Sequence, residues 1–166
     1  FFLGFGYIDA RRSVADAALD AGKSIFVVTG GEEESMDCSE KEDVLVLQHR
    51  KGFIRLALRH GAHLLPIFGI NNADTFHTYS FAMGFRRWIQ KTFKIALPIF
   101  HGRFFTPLPY NVPIQVVVGE PIATPKPSKP GEKPDEKMVD QFHQKYIAAV
   151  KEMHSKHVKD RPLRIV

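Results

Sequence analysis

Arg50-Lys51-Gly52-Phe53-Ile54-Arg55-Leu56-Ala57-Leu58-Arg59-His60-Gly61-Ala62-His63-Leu64-Leu65-Pro66-Ile67-Phe68 changes its period once, and that change decides the fold. Over Gly52 to His60, the apolar residues Phe53, Leu56 and Ala57 recur at helical spacing. Gly61 follows as a stop signal, and His63 to Phe68 continues as an apolar run read as a strand. The same alternation extends outward in both directions. Ser13 to Ala21 is a predicted helix, with Ser13 as cap, Asp16 three residues on as in a capping box, and Gly22 ending it. Ser24 to Thr29 is a continuous β-branched run, predicted as a buried strand that Gly30-Gly31 breaks. Val44 to Leu47 and Gln115 to Val118 are further strand candidates, and Phe85 to Phe93 a further helix. Helices alternating with strands predict an α/β fold, a mixed and mostly parallel sheet flanked by helices with right-handed crossovers.

Thr124 to Pro134 carries four prolines and cannot be a regular element. Asp135 to His157 is a predicted amphipathic helix, with Met138, Phe142, Tyr146, Ala149, Val150 and Met153 at three- and four-residue steps. Acidic residues open it, and Lys151, Lys156 and His157 close it, as the helix dipole favours. The expected organisation is an α/β domain over 1–123, a proline-rich linker over 124–134, and a C-terminal amphipathic helix over 135–160 packed on that domain.

The 166 residues are 44% hydrophobic and 25% charged, a globular composition long enough for one domain with a core. The net charge of +5 suits an anionic ligand or an anionic membrane surface, while scattered basic residues speak against nucleic acid. Cys38 is the only cysteine, so no internal disulfide can form. No apolar run reaches the roughly 18 residues of a spanning helix. The chain opens Phe1-Phe2-Leu3-Gly4-Phe5 without an initiating Met, so a preceding segment is expected.

Several motifs fail on inspection. Gly22-Lys23-Ser24 resembles the end of a P-loop, but Ala17 stands where its first glycine belongs, and a strand follows instead of a helix. Gly4-Phe5-Gly6 lacks the third glycine of a dinucleotide loop. No G-x-S-x-G and no H-E-x-x-H occurs. His60 with His63, and His154 with His157, have no cysteine or carboxylate spaced to complete a metal site, and the second pair reads as exposed helix-end histidines. No metal and no cofactor is expected.

Two stretches stand out on chemical grounds. Gly30-Gly31 sits at the C-terminal end of a predicted strand, where open α/β sheets place ligands, although a plain tight turn is the simpler reading. Arg50, Lys51 and Gly52 open a predicted helix; two cations at a helix N-terminus favour an anion, and a solvated basic cluster is an equal alternative.

Four segments resemble the type-2 diacylglycerol acyltransferase family, with its monoacylglycerol and wax-ester relatives. Gly30-Gly31-Glu32-Glu33-Glu34-Ser35 is similar to its G-G-x-x-E motif, and the Arg50 to Ile67 block to its R-x-G-F-x-x-x-A, glycine and proline-containing strand. Phe100-His101-Gly102-Arg103 and Val118-Gly119-Glu120-Pro121-Ile122 follow in the family's order, and Trp88 also fits. The resemblance spans about Gly22 to His157. Phe68 to Asp74 departs from the family's Tyr-Ser-Phe-Gly-Glu-Asn-like stretch. His-Pro-His-Gly, the H-x-x-x-x-D motif of the wider superfamily and an N-terminal membrane hairpin are absent from these residues.

The resemblance implies a glycerolipid-acyltransferase-like fold and acyl-CoA-dependent transfer of a fatty acyl group to a neutral lipid hydroxyl, first of all diacylglycerol to triacylglycerol. Monoacylglycerol, sterol and wax alcohol are the alternative acceptors, and a non-catalytic lipid-binding module is the alternative class. The catalytic histidine is expected upstream, so the chain alone is expected to be inactive. Glu34 is the implied supporting acid, and Gly30, Gly31, Arg50, Lys51, Gly52 and His101 are the implied substrate-binding residues. The coenzyme A phosphates fall to the Arg50-Lys51-Gly52 cluster. Relatives acting on phosphorylated acceptors carry E-G-x-R-S at the first motif. Here no Arg lies between Gly30 and Ser35 and three carboxylates do, which favours a neutral acceptor. The implied partners are acyl-CoA as co-substrate, a neutral lipid such as diacylglycerol, and a membrane. The implied location is the endoplasmic reticulum membrane or lipid droplets. Phe81, Phe85, Trp88 and Phe93, near Arg86, Arg87, Lys91 and Lys94, suit an interfacial surface or equally core packing.

Overall fold

The computed structural model describes residues 6–30, 42–79, 92, 99–129 and 131–166. Gly31, Glu34, Trp88 and the predicted Phe85–Phe93 helix lie outside the described residues. The architecture is mixed α/β and divides into two compact units: Phe1–Val28, Lys51–Leu65 and Pro121–Tyr146 in one, Thr29–Arg50, Pro66–Glu120 and Ile147–Val166 in the other.

The first unit is built on α1 (Arg12–Asp20), α2 (Gly52–His60) and the first half of α3 (Glu136–His157). Helix α2 has the predicted bounds, and Gly61 ends it at φ 62°, the left-handed conformation glycine adopts most cheaply. Its buried face is Ile54, Ala57 and Leu58, one residue round from the predicted Phe53–Leu56–Ala57 stripe. That face joins Leu64, Val139 and Phe142 in one core, with Phe53, Ile122 and Tyr146 packed against it. Phe53 and Tyr146 meet edge to face, their ring centroids 4.9 Å apart. Leu64 and Ile122 exchange backbone hydrogen bonds of 3.0 and 2.8 Å, an isolated antiparallel bridge.

The predicted cap of α1 does not form. The helix starts one residue early, Arg11 occupies the cap position, and no side chain caps it. Asp16 is used elsewhere: both its oxygens accept from Arg59 Nη1, at 2.9 and 3.0 Å, and His60 Nε2 lies 2.8 Å from Oδ1. His60 Nδ1 lies 3.0 Å from Asp20 Oδ1. Arg59 and His60 therefore tie α2 to α1, their side chains only 18% and 10% exposed. The hydrogen bond from His60, with the Arg59 charge beside it, holds the Asp16 carboxyl below its ordinary value despite desolvation. A carboxyl depressed in the folded state stabilises above its unfolded pKa, and that contribution is lost as pH falls through the folded value. Urea unfolding is thus expected to show the parent more stable than Asp16→Asn at neutral pH. The gap should close below about pH 4; a gap independent of pH would reject the tie.

The second unit holds three two-stranded pairings among the described residues. β1 (Asp43–Leu45) runs parallel to β6 (Leu163–Ile165), with Asp43 opposite Leu163. β2 (Ile67–Ile70) pairs antiparallel with β5 (Gln115–Val118), Ile67 opposite Val118, and β3 (His77–Thr78) antiparallel with β4 (Phe100–His101). The mostly parallel sheet expected from the alternation is therefore met by one pairing of the three. The predicted His63–Phe68 strand is split, because Pro66 has no N–H to give to a ladder. Leu64 makes its isolated bridge, and β2 begins only at Ile67. Phe68 and Ile70 then alternate inward and pack with Met153, Leu45, Val117 and Val158.

Ser24–Thr29 is not the predicted buried strand. Its described residues carry no strand, and Phe26 and Val28 are 74% and 69% exposed. β-Branched residues favour extended backbone, but a strand needs a neighbouring ladder to complete it. The Thr124–Pro134 stretch forms no regular element among its described residues. Helix α3 matches its predicted extent, but its buried face is Val139, Phe142, His143, Ile147, Val150, Met153 and His154, while Met138 is exposed. Among the described residues no helix is long and apolar enough to cross a membrane.

Candidate functional site

His101 is the predicted site residue around which other side chains gather. Its backbone lies opposite His77 in the β3–β4 pair, which puts both side chains on one face. The His77 and His101 rings are 5.2 Å apart. The Tyr79 N–H donates to Ile99 O at 2.9 Å and holds the next turn of the pair, so the Tyr79 ring stacks on His101 at 5.4 Å. Phe105 stacks on it too, at 4.7 Å with planes 9° apart.

The chain after His101 is a closed loop. The N–H of Gly102 donates to Thr106 O at 2.7 Å and that of Arg103 to Leu108 O at 2.8 Å. Thr106 Oγ1 donates back to Arg103 O at 2.8 Å. This closure carries Tyr110 to the imidazole, and its own N–H, donating to Thr75 O at 2.8 Å, fixes it there. Tyr110 Oη lies 3.2 Å from His101 Nε2.

Among the described residues, His101 Nδ1 is buried without a hydrogen-bond partner. If Tyr110 donates to Nε2, Nδ1 carries the ring proton and is an unused donor; in the other tautomer it is an unused lone pair. A buried polar atom without a partner costs about 1–3 kcal/mol. Such an atom can be satisfied by a water, an ion or a ligand oxygen.

The other predicted residues do not all gather with His101. Gly30 is buried in the second unit, and Arg50 is an exposed residue of the same unit, its N–H donating to Leu47 O at 3.0 Å. Lys51 and Gly52 belong to the first unit, where Gly52 is exposed and opens α2. Lys51 Nζ already donates to Asp140 Oδ1 at 2.6 Å, and this bond holds the Asp140 carboxyl below its usual value. An anion at the head of α2 thus competes with Asp140 for Lys51. The pair lies at the surface, where water screens it and an ion pair holds its partners only weakly, so the exchange costs little.

Sequence reasoning missed two groups. Tyr79, His77 and Tyr110 reach His101 through pairing and loop closure. The only local signal was the His77-x-Tyr79 alternation, which puts two rings on one strand face. His154, predicted as an exposed helix-end histidine, is 5% exposed. Its Nε2 lies 2.9 Å from Asp43 Oδ2, under the edge of the Phe68 ring. Arg161 completes this group, donating to Asp43 Oδ1 at 3.4 Å and to both oxygens of Asp74 at 2.9 and 2.7 Å. Among the described residues no three His, Cys, Asp or Glu side chains are placed to hold a metal ion.

The comparisons with known proteins bear on the whole chain. The family model described as "Diacylglycerol acyltransferase" matches residues 1–163. The chain is 35% identical to human "Diacylglycerol O-acyltransferase 2", over 95% of this chain and 43% of that protein. It is 35% identical to human "2-acylglycerol O-acyltransferase 3", over 95% of this chain and 49% of the relative. With "Diacylglycerol O-acyltransferase 2B" of Umbelopsis ramanniana the identity is 33%, over 95% and 48%. The chain spans just under half the length of these curated relatives. No solved structure matches it. A family match over residues 1–163, with 35% identity to a member over 95% of the chain, places the chain in the diacylglycerol acyltransferase family.

Proposed function

We propose that the chain serves an acyl-CoA-dependent O-acyltransferase that moves a fatty acyl group onto a neutral lipid hydroxyl, diacylglycerol becoming triacylglycerol. The observation that carries this is the 35% identity over 95% of the chain to a diacylglycerol O-acyltransferase. The fold proposed with it is glycerolipid-acyltransferase-like, and the place of work is the endoplasmic reticulum membrane or a lipid droplet.

In the reaction the acceptor oxygen attacks the thioester carbonyl. A C–O bond forms, the C–S bond breaks, and the proton passes by way of a base to the departing thiolate. An alcohol needs that base to be an effective nucleophile. The 166 residues contain no His-Pro-His-Gly, so their share of the work is positioning. Arg50, Lys51 and the N-terminus of α2 receive coenzyme A phosphates, helped by the helix dipole. Gly30, Gly31 and Glu34 receive the acceptor, and the three carboxylates of Glu32-Glu33-Glu34 repel a phosphorylated one. His101, with its unused Nδ1, offers a hydrogen bond to an acceptor oxygen. The equal identity to a 2-acylglycerol O-acyltransferase favours monoacylglycerol as the second acceptor.

The natural gene product, expressed in cells that make no triacylglycerol, should restore it. Purified membranes should acylate diacylglycerol faster than monoacylglycerol, and lysophosphatidic acid hardly at all. Arg50→Ala with Lys51→Ala should raise the acyl-CoA KM about ten-fold, the loss of about 1.4 kcal/mol of phosphate binding. Preference for lysophosphatidic acid would overturn the acceptor assignment, and an unchanged KM the donor assignment.

A further inference from the structure

The excess of positive over negative charge in this protein falls in one stretch of sequence. From Thr75 to Gly119 there are five cations, Arg86, Arg87, Lys91, Lys94 and Arg103, and no Asp or Glu. The net charge of +5 is therefore the charge of this stretch, because outside it the remaining 18 Lys and Arg stand against 18 Asp and Glu. A sequence run this long with cations and no carboxylate suits an anionic surface, and Arg103 is its cation among the described residues.

The Gly102–Leu108 loop lies inside that stretch, and its tip is apolar. Phe104 and Phe105 are 80% and 84% exposed, with Leu108 at 59% and Phe100 at 42%. Both phenylalanines sit at φ 57°, the left-handed region that bulky side chains avoid. The loop's own hydrogen bonds hold them there, Gly102 to Thr106 and Arg103 to Leu108, with Thr106 Oγ1 locking the turn. The fold thus sustains strain to turn two rings outward into water, which signals a use for them. Arg103 stays beside them, its guanidinium carbon 5.4 Å from the Phe104 ring centroid. Rings at the acyl boundary with a cation at headgroup depth are the interfacial pattern of membrane-contacting segments.

We infer that the Gly102–Leu108 loop inserts Phe104 and Phe105 into an anionic lipid surface, with Arg103 at the headgroups. A bilayer fits better than an acidic protein, since most of the exposed tip is apolar ring and leucine surface and Arg103 is its one charged side chain. The inference deepens the proposed function: Phe105 stacks on His101, so the inserted loop stands the candidate acceptor site at the membrane from which a lipid would enter.

The test encodes an environment-sensitive fluorescent amino acid at Phe104 in the natural gene product. The vesicles contain phosphatidylcholine, phosphatidylserine and a brominated quencher lipid. Emission from position 104 should shift to the blue and be quenched, by several-fold more than from the same probe at Val116, which is 66% exposed on β5. Removing phosphatidylserine or adding salt should weaken the quenching several-fold. No quenching at 104, or equal quenching at both positions, would overturn the insertion. So would a probe at 104 that responds to polyglutamate and not to vesicles, which would point to an acidic protein partner. Should the probe disturb the loop, hydrogen exchange on the unmodified protein gives a second reading, with slowed exchange at Arg103–Leu108 on vesicles expected and unchanged exchange overturning the proposal. None of these readouts needs acyl transfer, so they stand apart from the proposed activity.

Discussion

Gly102→Ala is expected to destabilise the protein by about 3 kcal/mol, the top of the usual range for forcing extra atoms into a filled space. A Cβ built on Gly102 runs into Leu108 O and falls 2.7 Å from the Leu108 carbonyl carbon. The obstacle is backbone, so no rotamer change relieves it. The carbonyl it strikes is the one that accepts from Arg103, and the loop cannot move away without breaking that 2.8 Å bond. In a chain of this size the expected fall in Tm is about 6–12 °C. The same displacement should withdraw Tyr110 from His101 Nε2 and so spoil the candidate site beyond the loss of stability. Tyr110→Phe removes only the hydroxyl and leaves the loop closed, so it should give a much smaller change in Tm. Thermal unfolding of the two variants beside the parent checks both statements. Gly102→Ala melting within a degree of the parent would show that the loop is not closed as described.

What the sequence could and could not disclose follows from distance along the chain. Helix α2 was legible to the residue because every signal for it is local, from the helical recurrence to a glycine free to take a positive φ at 61. β5 was legible for the same reason, as a short β-branched run. β6 was not, since Leu163-Arg164-Ile165 is too short to show a period and takes its identity from β1, far away in the chain. The buried face of α3 was misread in part because two of its members are histidines. A polar side chain on a helix reads as surface unless its partner is known, and the partner of His154 is Asp43. Asp16 failed in the same way: its spacing from Ser13 resembled a capping box, whereas two side chains of α2 claim it in the fold. In the candidate site, His101 was reached through a family resemblance. The rings around it became visible only with the β3–β4 register and the loop closure.

The misread pair supplies the second large effect. Asp43→Ala is expected to lower stability by about 3–5 kcal/mol, the loss that follows when one partner of a buried ionic group is removed. Asp43 is 14% exposed and serves two partners with its two oxygens, His154 through Oδ2 and Arg161 through Oδ1. Removal leaves His154 under the Phe68 ring without its acceptor, and leaves Arg161 leaning on Asp74 alone. Hydrogen bonding to Asp74, with the charges of both carboxylates, holds the Arg161 pKa above its usual value, so the cation cannot escape by losing its proton. The group also spans chain segments. Asp43 opens β1, His154 stands near the end of α3, and Arg161 lies two residues before β6, so the same charges hold the only parallel pairing among the described residues. Asp43→Asn keeps an acceptor for His154 and gives up the charge, so its loss should fall clearly below that of alanine. Arg161→Ala in the Asp43→Ala background should add less than it does in the parent, since both changes strike one network. Denaturant unfolding of the four proteins measures the coupling directly. Strictly additive losses would mean that Asp43 and Arg161 act independently, and that their pairing does not hold β1 to β6.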